Sequence, residues 1–324
     1  MLEHGGKLAE AMARYGHARA AWLDLSTGVN PQSYPAPDLP QDAWHRLPEA
    51  DMALIDAACG YYRAAQLLPV AGSQAAIGAL PRLRPRSRVA IGAPAYAEHA
   101  YRWRKAGHEV IETPHAELRN MADSCDVVVL CNPNNPTGAM IPPQDLLDWA
   151  GKLARRGGWL VVDEAFADVE PQHSVPANAP GLIVLRSIGK FFGLAGLRLG
   201  FVIAQQQLLA ALADEIGPWG VTEAAQRIGT AALRDGAWQH AMRERLRHDG
   251  ARLKRLLAEH GIASCGTALF QWWPEPHAEA FADHMARRAI WVRKFDGYGI
   301  RLGLPFYERD WQRLSQALDE WMSP

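Results

Sequence analysis

The stretch Arg186-Ser187-Ile188-Gly189-Lys190-Phe191-Phe192-Gly193-Leu194-Ala195-Gly196-Leu197-Arg198 decides how the rest of the chain is interpreted. It places a lysine among small and apolar residues, directly after the apolar run 182–185, which predicts a buried strand. Lys190 is therefore predicted to leave the end of a sheet, whereas most lysines lie on solvated surfaces. Desolvation lowers the pKa of an amine, and a neutral amine is a nucleophile towards carbonyl groups.

Two polar side chains flank this lysine at positions that suit an anion. Ser187 can donate one hydrogen bond, and the guanidinium of Arg198 can bind an oxyanion through two. A nucleophilic lysine beside phosphate-binding groups suits pyridoxal phosphate. A lysine and an arginine can also flank a glycine-rich loop by chance, so the other strand ends must decide between these interpretations.

Seven short apolar runs between residues 67 and 204 alternate with helical stretches. The runs are Leu67–Val70, Arg88–Gly92, Glu109–Glu112, Asp126–Cys131, Trp159–Asp163, Leu182–Arg186 and Leu199–Ala204. Continuous apolar strands separated by helices predict an α/β fold with a seven-stranded, mostly parallel sheet covered on both faces. Ligands bind beyond the carboxyl ends of the strands in such sheets.

The remaining chain predicts a smaller α+β domain. Its predicted strands are Phe270–Trp273, Ile290–Arg293 and Ile300–Leu304, among segments with helical spacing. We expect an N-terminal arm over 1–30 that belongs with the smaller domain and acts as an active-site lid, a large domain over 31–220 that binds the pyridoxal phosphate, and a small C-terminal domain over 221–324.

Composition and charge argue against several classes of protein. The 324 residues include 35 acidic residues against 34 lysines and arginines, and no block of one sign suggests a nucleic-acid or membrane surface. No apolar run reaches the roughly 18 residues of a membrane span, and the start lacks the pattern of a signal peptide. The four cysteines form no C-x-x-C pair. They fit a reducing compartment, so we expect a cytoplasmic protein.

Other predicted strand ends also carry polar groups. Gly72-Ser73 joins a strand to a helix, where free N–H groups can bind phosphate or the serine can simply cap the helix. The loop Asn132-Pro133-Asn134-Asn135-Pro136-Thr137-Gly138 follows another strand. Its prolines and glycine favour a rigid display of amide side chains over an ordinary tight turn.

Asp163 ends the apolar run 159–163. A buried carboxylate needs a cationic or donor partner, which a protonated pyridine nitrogen would supply, although capping the next helix is the alternative. Asp163 lies 28 residues after Asn135 and 27 before Lys190, about one strand-helix-strand step each way. The three side chains are therefore predicted at successive strand ends.

These motifs resemble the fold type I pyridoxal phosphate enzymes, the aspartate aminotransferase superfamily, over nearly the whole chain. The motifs are the amide loop 132–138, Asp163-Glu164-Ala165-Phe166 and the segment 186–201. The resemblance implies a PLP-dependent transferase-like fold, a pyridoxal 5'-phosphate cofactor, no metal, and a homodimer with its site at the subunit boundary.

Further phrases resemble the threonine-phosphate decarboxylases of cobalamin biosynthesis, which share ancestry with histidinol-phosphate aminotransferases. They are His4-Gly5-Gly6, 24–31, 70–76 and Pro218-Trp219. The resemblance implies decarboxylation of L-threonine O-3-phosphate to (R)-1-amino-2-propanol phosphate. An aminotransferase of the histidinol-phosphate or aromatic amino acid type is the alternative, because the two reactions differ in which Cα bond stands perpendicular to the cofactor ring. A regulatory module is a third reading, although no DNA-binding domain fits before Trp22.

The resemblance also assigns roles to cofactor-binding residues. Lys190 would form a Schiff base with the cofactor and move protons, and Asp163 would keep the pyridine nitrogen protonated. Asn135 would bind the ring hydroxyl, and Tyr96 would stack on the ring. The residues implied for the cofactor phosphate are Gly72, Ser73, Ser187 and Arg198.

The substrate-binding residues rest on the resemblance alone. Arg301 would bind the substrate carboxylate, and Arg293, with His4 and Asn30, the substrate phosphate.

Three positions depart from the pattern of the family. Phe166 replaces a tyrosine that often binds the ring hydroxyl, and Leu47 replaces a tyrosine often contributed across the dimer. Gly189 replaces a hydroxyl residue before the lysine. These departures predict looser anchoring of the cofactor.

Overall fold

The computed structural model describes residues 5–176 and 179–322. The described chain divides into two compact units. The larger unit comprises residues 33–135 and 139–241, and the smaller unit comprises the described parts of 1–32, 136–138 and 242–324. His4 lies outside the described residues, so its role stays a prediction.

The strands and the α-helices are numbered in the order in which they occur along the chain. The strands are β1 (Leu23–Asp24), β2 (Leu68–Val70), β3 (Arg88–Ala93), β4 (Glu109–Pro114), β5 (Val127–Cys131), β6 (Trp159–Asp163), β7 (Leu182–Ser187), β8 (Gly200–Ile203), β9 (Cys265–Thr267), β10 (Phe270–Trp273), β11 (Ile290–Trp291), β12 (Arg293–Phe295) and β13 (Gly299–Gly303). The helices are α1 (Leu8–Tyr15), α2 (Met52–Tyr62), α3 (Ser73–Ala79), α4 (Glu98–Lys105), α5 (Leu118–Met121), α6 (Pro143–Ala154), α7 (Gln206–Ile216), α8 (Glu223–Arg234), α9 (Gly236–Glu259), α10 (Ala278–Arg287) and α11 (Glu308–Met322).

The larger unit is built on a seven-stranded sheet with the order β2-β8-β7-β6-β5-β3-β4. Strand β8 runs antiparallel to both of its neighbours, and the other six strands run in one direction. All seven predicted strands and the mostly parallel sheet are therefore confirmed. Asp163 pairs with Cys131 on one side and with Leu185 on the other, so the ends of three strands lie level.

Both faces of this sheet are covered, as continuous apolar strands require. Every residue of β5 is buried. One face packs against α3, α4 and α7 in a core that includes Ile77, Trp103 and Leu209. Helix α6 packs against β6 and β7. The core thus fixes the strand ends that carry the polar motifs.

The smaller unit contains an antiparallel sheet with the order β12-β13-β10-β9 and a parallel pair of β1 with β11. The single strand predicted over Ile290–Arg293 is divided, because Ile290–Trp291 pairs with β1 and the following residues pair with β13. Strand β9 was not predicted. Strand β1 is short, because the backbone N–H and hydroxyl of Ser26 donate to Asp24 Oδ1 and end the extended run.

Helix α8 shows where the compact units differ from the predicted division at residue 220. It packs against α2, and a Cβ atom on Gly229 would lie 3.2 Å from Leu54 Cδ1. This close packing keeps α8 in the larger unit. The predicted domain boundaries themselves stay a prediction.

The state of the cysteines and the character of the helices are relevant to where the protein is found. All four cysteines are free thiols. Among the described helices, none combines the length and the apolar character that crossing a membrane requires.

Candidate active site

A cavity of about 160 Å³ lies at the carboxyl ends of β5, β6 and β7. The structure brings together in its wall every residue predicted to contact the cofactor: Gly72, Ser73, Tyr96, Asn135, Asp163, Ser187, Lys190 and Arg198. Gln74, Cys131, Ala165 and Phe166 also line it. The roles of these residues towards a cofactor stay predictions, but an amine, a carboxylate and an amide do share one cavity.

Asp163 is held in place by two hydrogen bonds. Its Oδ1 accepts from the backbone N–H of Ala165 at 3.0 Å, and its Oδ2 lies 3.0 Å from His99 Nε2. Both Asp163 and His99 are buried. An ionised carboxylate only accepts hydrogen bonds, so with Asp163 ionised the proton of the pair lies on Nε2. The two hydrogen bonds therefore hold the carboxylate in one orientation at the cavity wall.

His99 was missed by the sequence analysis, although a signal was available. It follows Tyr96 by three residues in the first turn of α4. Tyr96 precedes the helix, and its ring centroid lies 6.1 Å from that of His99, so the histidine accompanies the ring that lines the cavity. His99 Nε2, Cys131 Sγ and an Asp163 oxygen lie within 4.8 Å of one another, a grouping that a metal can also use. The prediction of no metal stays a prediction.

The ring of Phe166 lies close to the amine of Lys190. The Nζ atom of Lys190 lies 5.4 Å from the centroid of the Phe166 ring, within the range of a cation–π interaction. Phe166 is the residue at which the resemblance leads us to expect a tyrosine. The phenyl ring keeps the apolar surface of that residue but offers no hydroxyl.

Tyr96 is fixed by a chain of side-chain hydrogen bonds. Its hydroxyl donates to Gln74 Oε1 at 3.1 Å, and Gln74 Nε2 donates to Glu98 Oε2 at 2.8 Å. Arg102 Nε donates to the same carboxylate oxygen at 2.8 Å. Burial, then the charges of Glu98 and Asp163, raise the pKa of Tyr96 to about 12. The phenol therefore stays neutral at physiological pH, and its ring stays fixed at the cavity wall.

Glycine backbone forms a close cradle next to Arg198. Gly72 has a φ of +71°, and a Cβ atom there would lie 2.5 Å from Arg198 Nη2. Arg198 itself adopts a left-handed conformation with a φ of +55°, and its Nη1 donates to the carbonyl of Ala195 at 2.9 Å. A Cβ atom on Gly200 would lie 2.6 Å from the backbone nitrogen of Ser73. Backbone N–H groups and a guanidinium can thus meet one oxyanion, which fits the phosphate of pyridoxal phosphate.

Close packing around residue 189 explains why a glycine occupies this position. A Cβ atom there would lie 3.1 Å from Ala195 Cα and 3.4 Å from Ser187 Oγ. The N–H of Gly189 donates to Ser187 Oγ at 3.3 Å. A larger residue would therefore crowd the turn that leads to Lys190.

The amide loop uses two of its three asparagines to brace itself. Asn132 exchanges two hydrogen bonds with the backbone of Ile141, at 2.8 and 3.1 Å. Asn134 Nδ2 donates to the carbonyl of Pro94 at 2.9 Å. Asn135 lines the cavity on this braced backbone.

A buried ionic cluster lies next to the cavity residues in sequence. Arg186 donates to Glu164 and Asp168, and it also donates to Ser174 Oγ at 2.8 Å. Glu164 follows Asp163, and Arg186 precedes Ser187. Burial would lower the pKa of Arg186, but Asp168 and Glu164 raise it above its ordinary value. No motif in the sequence predicts this cluster.

The smaller unit brings together the two predicted substrate arginines. Arg293 and Arg301 stand opposite each other in β12 and β13. Arg301 is buried, and its Nη2 donates to the backbone carbonyl of Ser26 at 2.7 Å. Burial, then the charge of Arg293, lower the pKa of Arg301 to about 9. Like charges opposite each other destabilise a sheet, so an anion would stabilise this pair.

Asn30 is also buried within the smaller unit. Its Oδ1 accepts a hydrogen bond from the backbone N–H of Gln32 at 2.9 Å. The carboxamide is thereby held in a defined orientation. Its contact with substrate stays a prediction.

Comparison of the sequence with known proteins identifies relatives of this chain. The sequence profile described as "Aminotransferase class I and II" matches residues 38–320. The chain is 52% identical to the threonine-phosphate decarboxylase of Pseudomonas aeruginosa, over 100% of this chain and 99% of that protein. It is 42% identical to the threonine-phosphate decarboxylase of a Sinorhizobium species, over 98% and 97% of the two chains.

A solved structure shows the same fold. The histidinol-phosphate aminotransferase of Sinorhizobium meliloti, in complex with pyridoxal-5'-phosphate, superimposes with a TM-score of 0.81 at 22% identity. The match covers 99% of this chain and 95% of the other. The predicted PLP-dependent transferase-like fold is confirmed. From the profile and the two full-length relatives it follows that the chain belongs to the aminotransferase class I and II family.

Proposed function

We propose that this chain is a pyridoxal 5'-phosphate-dependent decarboxylase that converts L-threonine O-3-phosphate to (R)-1-amino-2-propanol phosphate in cobalamin biosynthesis. Two relatives with the name of this activity match over nearly their whole length. The observation that carries the proposal is the single cavity that Lys190, Asp163 and Asn135 line. An enzyme of this class needs these three groups at one ring.

The residues of the cavity fit the cofactor. Gly72, Ser73, Ser187 and Arg198 would hold its phosphate, Asn135 its ring hydroxyl, and Tyr96 would stack on the ring. The carboxylate of Asp163 is held by His99, so in its ionised form it would stabilise a protonated pyridine nitrogen. When bound, pyridoxal phosphate supplies an electron sink for a pair of electrons released at the substrate Cα.

The other parts of the reaction, which are substrate binding and proton transfer, would be carried out by residues of this chain. The bond between Cα and the carboxylate breaks, CO2 leaves, and its bonding electrons remain at Cα. A proton from the ammonium group of Lys190 then takes the place of CO2. Arg301 would hold the substrate carboxylate, and Arg293, Asn30 and His4 the phosphate, so that the bond to be broken is the one aligned for cleavage.

A direct assay tests the reaction. The purified protein with pyridoxal phosphate should release one CO2 for each L-threonine O-3-phosphate consumed. It should form 1-amino-2-propanol phosphate without any 2-oxo acid. Turnover that requires 2-oxoglutarate and releases no CO2 would instead identify the aminotransferase alternative.

The amine of Lys190 should be essential to this activity. In Lys190→Ala, CO2 release should fall by at least about 10²–10⁴-fold, the usual contribution of a positioned proton donor. The visible absorbance band of the cofactor bound through the lysine should also disappear. Lys152→Ala is the matched control, because Lys152 binds Asp123 on the surface at 3.1 Å. Activity retained by Lys190→Ala would overturn the assignment.

We also propose that the enzyme is a cytoplasmic homodimer. Trp44, Leu47 and Met52 are 64%, 66% and 62% exposed within one short segment of the larger unit. Apolar side chains grouped in this way are typical of a protein interface. The free cysteines support a reducing compartment. Light scattering should give about twice the 35.7 kDa of one chain; a monomeric mass would contradict the proposal.

A further inference from the structure

Three side chains form a row across the sheet of the smaller unit. Trp272 in β10 stands opposite Arg301 in β13, and Arg301 stands opposite Arg293 in β12. Residues directly opposite each other in antiparallel strands point to the same face of a sheet. The indole of Trp272 is therefore a neighbour of the buried guanidinium of Arg301.

Ring contacts identify this face independently. The guanidinium of Arg301 lies 5.2 Å from the ring of Phe270, which precedes Trp272 by two residues. It lies 5.8 Å from the ring of Phe295, which follows Arg293 by two residues. Residues two apart in a strand share a face, so both contacts place the row on one side of the sheet.

The opposite side of the same strand is used for packing. Trp273 is buried, and its ring centroid lies 5.4 Å from that of Phe281 in α10. The indole N–H of Trp273 donates to Glu275 Oε2 at 3.1 Å. Trp273 is thus a tryptophan whose surface and polar group are both satisfied within the smaller unit.

Trp272 differs in its polar group. Its Nε1 atom is buried, yet it has no hydrogen-bond partner among residues 5–176 and 179–322. Buried N–H groups are nearly always paired, so this one requires an explanation. An indole only donates, and so does a guanidinium. The polar groups of Trp272, Arg301 and Arg293 therefore offer donors alone, as a site for an anion requires.

We propose that Trp272 determines substrate specificity, its indole N–H donating a hydrogen bond to the substrate carboxylate that Arg301 binds. This proposal rests on the function proposed above. The carboxylate is favoured over the phosphate because Trp272 flanks Arg301 on the side away from Arg293, the arginine assigned to phosphate. Two donors that approach from different residues fix the rotation of a carboxylate better than one. They would thereby help to select the Cα bond that is broken.

The variant Trp272→Phe tests this role, because it keeps an aromatic ring and removes the donor. We expect its KM for L-threonine O-3-phosphate to rise about tenfold, the loss expected for one hydrogen bond to a charged group. The product 1-amino-2-propanol phosphate lacks the carboxylate and keeps the phosphate. Its inhibition constant should therefore stay within twofold of the wild-type value.

Trp273→Phe is the matched control. It removes an equivalent N–H from the packed face, so it should lower the unfolding temperature and leave both constants unchanged. If Trp272→Phe weakens substrate and product equally, the donor serves the phosphate and the proposal is wrong. An unchanged KM also overturns it.

Direct binding separates this outcome from failure of the proposed function. In the Lys190→Ala background, calorimetric titration with the same two compounds should show the same selective loss on Trp272→Phe. That loss does not depend on turnover. If the wild-type protein released no CO2, the reaction would be wrong while the carboxylate contact would still be tested.

Discussion

Arg186 and Arg301 both lie on strands and are both buried, at 3% and 5% exposure, yet their surroundings differ. Arg186, in the larger unit, contacts two carboxylates, which raise its pKa. Arg301, in the smaller unit, donates to a backbone carbonyl and faces another arginine, and its pKa is lowered. The same side chain thus has its charge neutralised in one place and left exposed to a like charge in the other.

This difference separates an arginine that is paired within the fold from one that, in its proposed role, would bind a ligand. Buried charges are normally paired, and the guanidinium of Arg186 is paired with the carboxylates of Glu164 and Asp168. The pair of Arg301 and Arg293 brings two positive charges opposite each other, so a bound anion would stabilise it. Burial and the charge of Arg293 lower the pKa of Arg301 and Asp24 raises it, although Asp24 Oδ1 also accepts hydrogen bonds from the backbone N–H and the hydroxyl of Ser26.

The largest effect should follow from Arg186→Met. The substitution would leave Glu164 and Asp168 buried without their cation, so the free energy of unfolding should fall by about 3–5 kcal/mol. Denaturant unfolding of the cofactor-free protein measures this loss. Arg82→Met is the control, because the exposed pair of Arg82 with Glu215 should contribute less than about 1 kcal/mol. A loss as small as that of the control would show that the cluster contributes little to stability.

A smaller effect on stability, opposite in sign, is expected for Arg301→Met. Replacing a buried charge that faces a like charge by an apolar side chain should leave the free energy of unfolding unchanged or raise it by up to about 1 kcal/mol. The KM for L-threonine O-3-phosphate should rise about 10- to 100-fold, because a charge-assisted contact is lost. Unfolding curves and steady-state kinetics on the same preparation test both parts.

Arg287→Met provides the comparison for that variant. Arg287 pairs with Asp283 on the exposed side of α10. Its loss should therefore change neither the free energy of unfolding nor the KM for L-threonine O-3-phosphate measurably. If Arg301→Met destabilised the protein as strongly as Arg186→Met, the distinction between the two arginines would fail.

Much of the larger unit could be predicted because its signals are local. Apolar runs mark the seven strands, and polar motifs at their ends mark the cavity residues. Asp163 and Lys190 were therefore identified together from spacing and residue type. The prediction needed only that parallel strands end at the same edge of a sheet.

What was missed depends on contacts between segments far apart in sequence. The bond of His99 to Asp163 spans 64 residues, and the register that sets Trp272 beside Arg301 spans 29. The cluster of Arg186 also joins two strands. No local pattern distinguishes Trp272 from Trp273 in the sequence, whereas the hydrogen bonds of the two indoles do.

The looser anchoring of the cofactor stays a prediction. Two of the three positions that depart from the family pattern, however, have a structural explanation. Phe166 lies under the lysine amine, and Gly189 occupies a turn with little room for a side chain. Both substitutions thus suit the local packing around Lys190. Sequence comparison alone treated them as missing hydroxyl groups.

The division of labour along the chain has a consequence for how such enzymes diversify. The cofactor-cavity residues come from 33–135 and 139–241, whereas the paired arginines and Trp272 come from the terminal third of the chain. Under the roles proposed for these residues, substitutions in that third would change which amino acid is accepted without altering the residues that line the cavity.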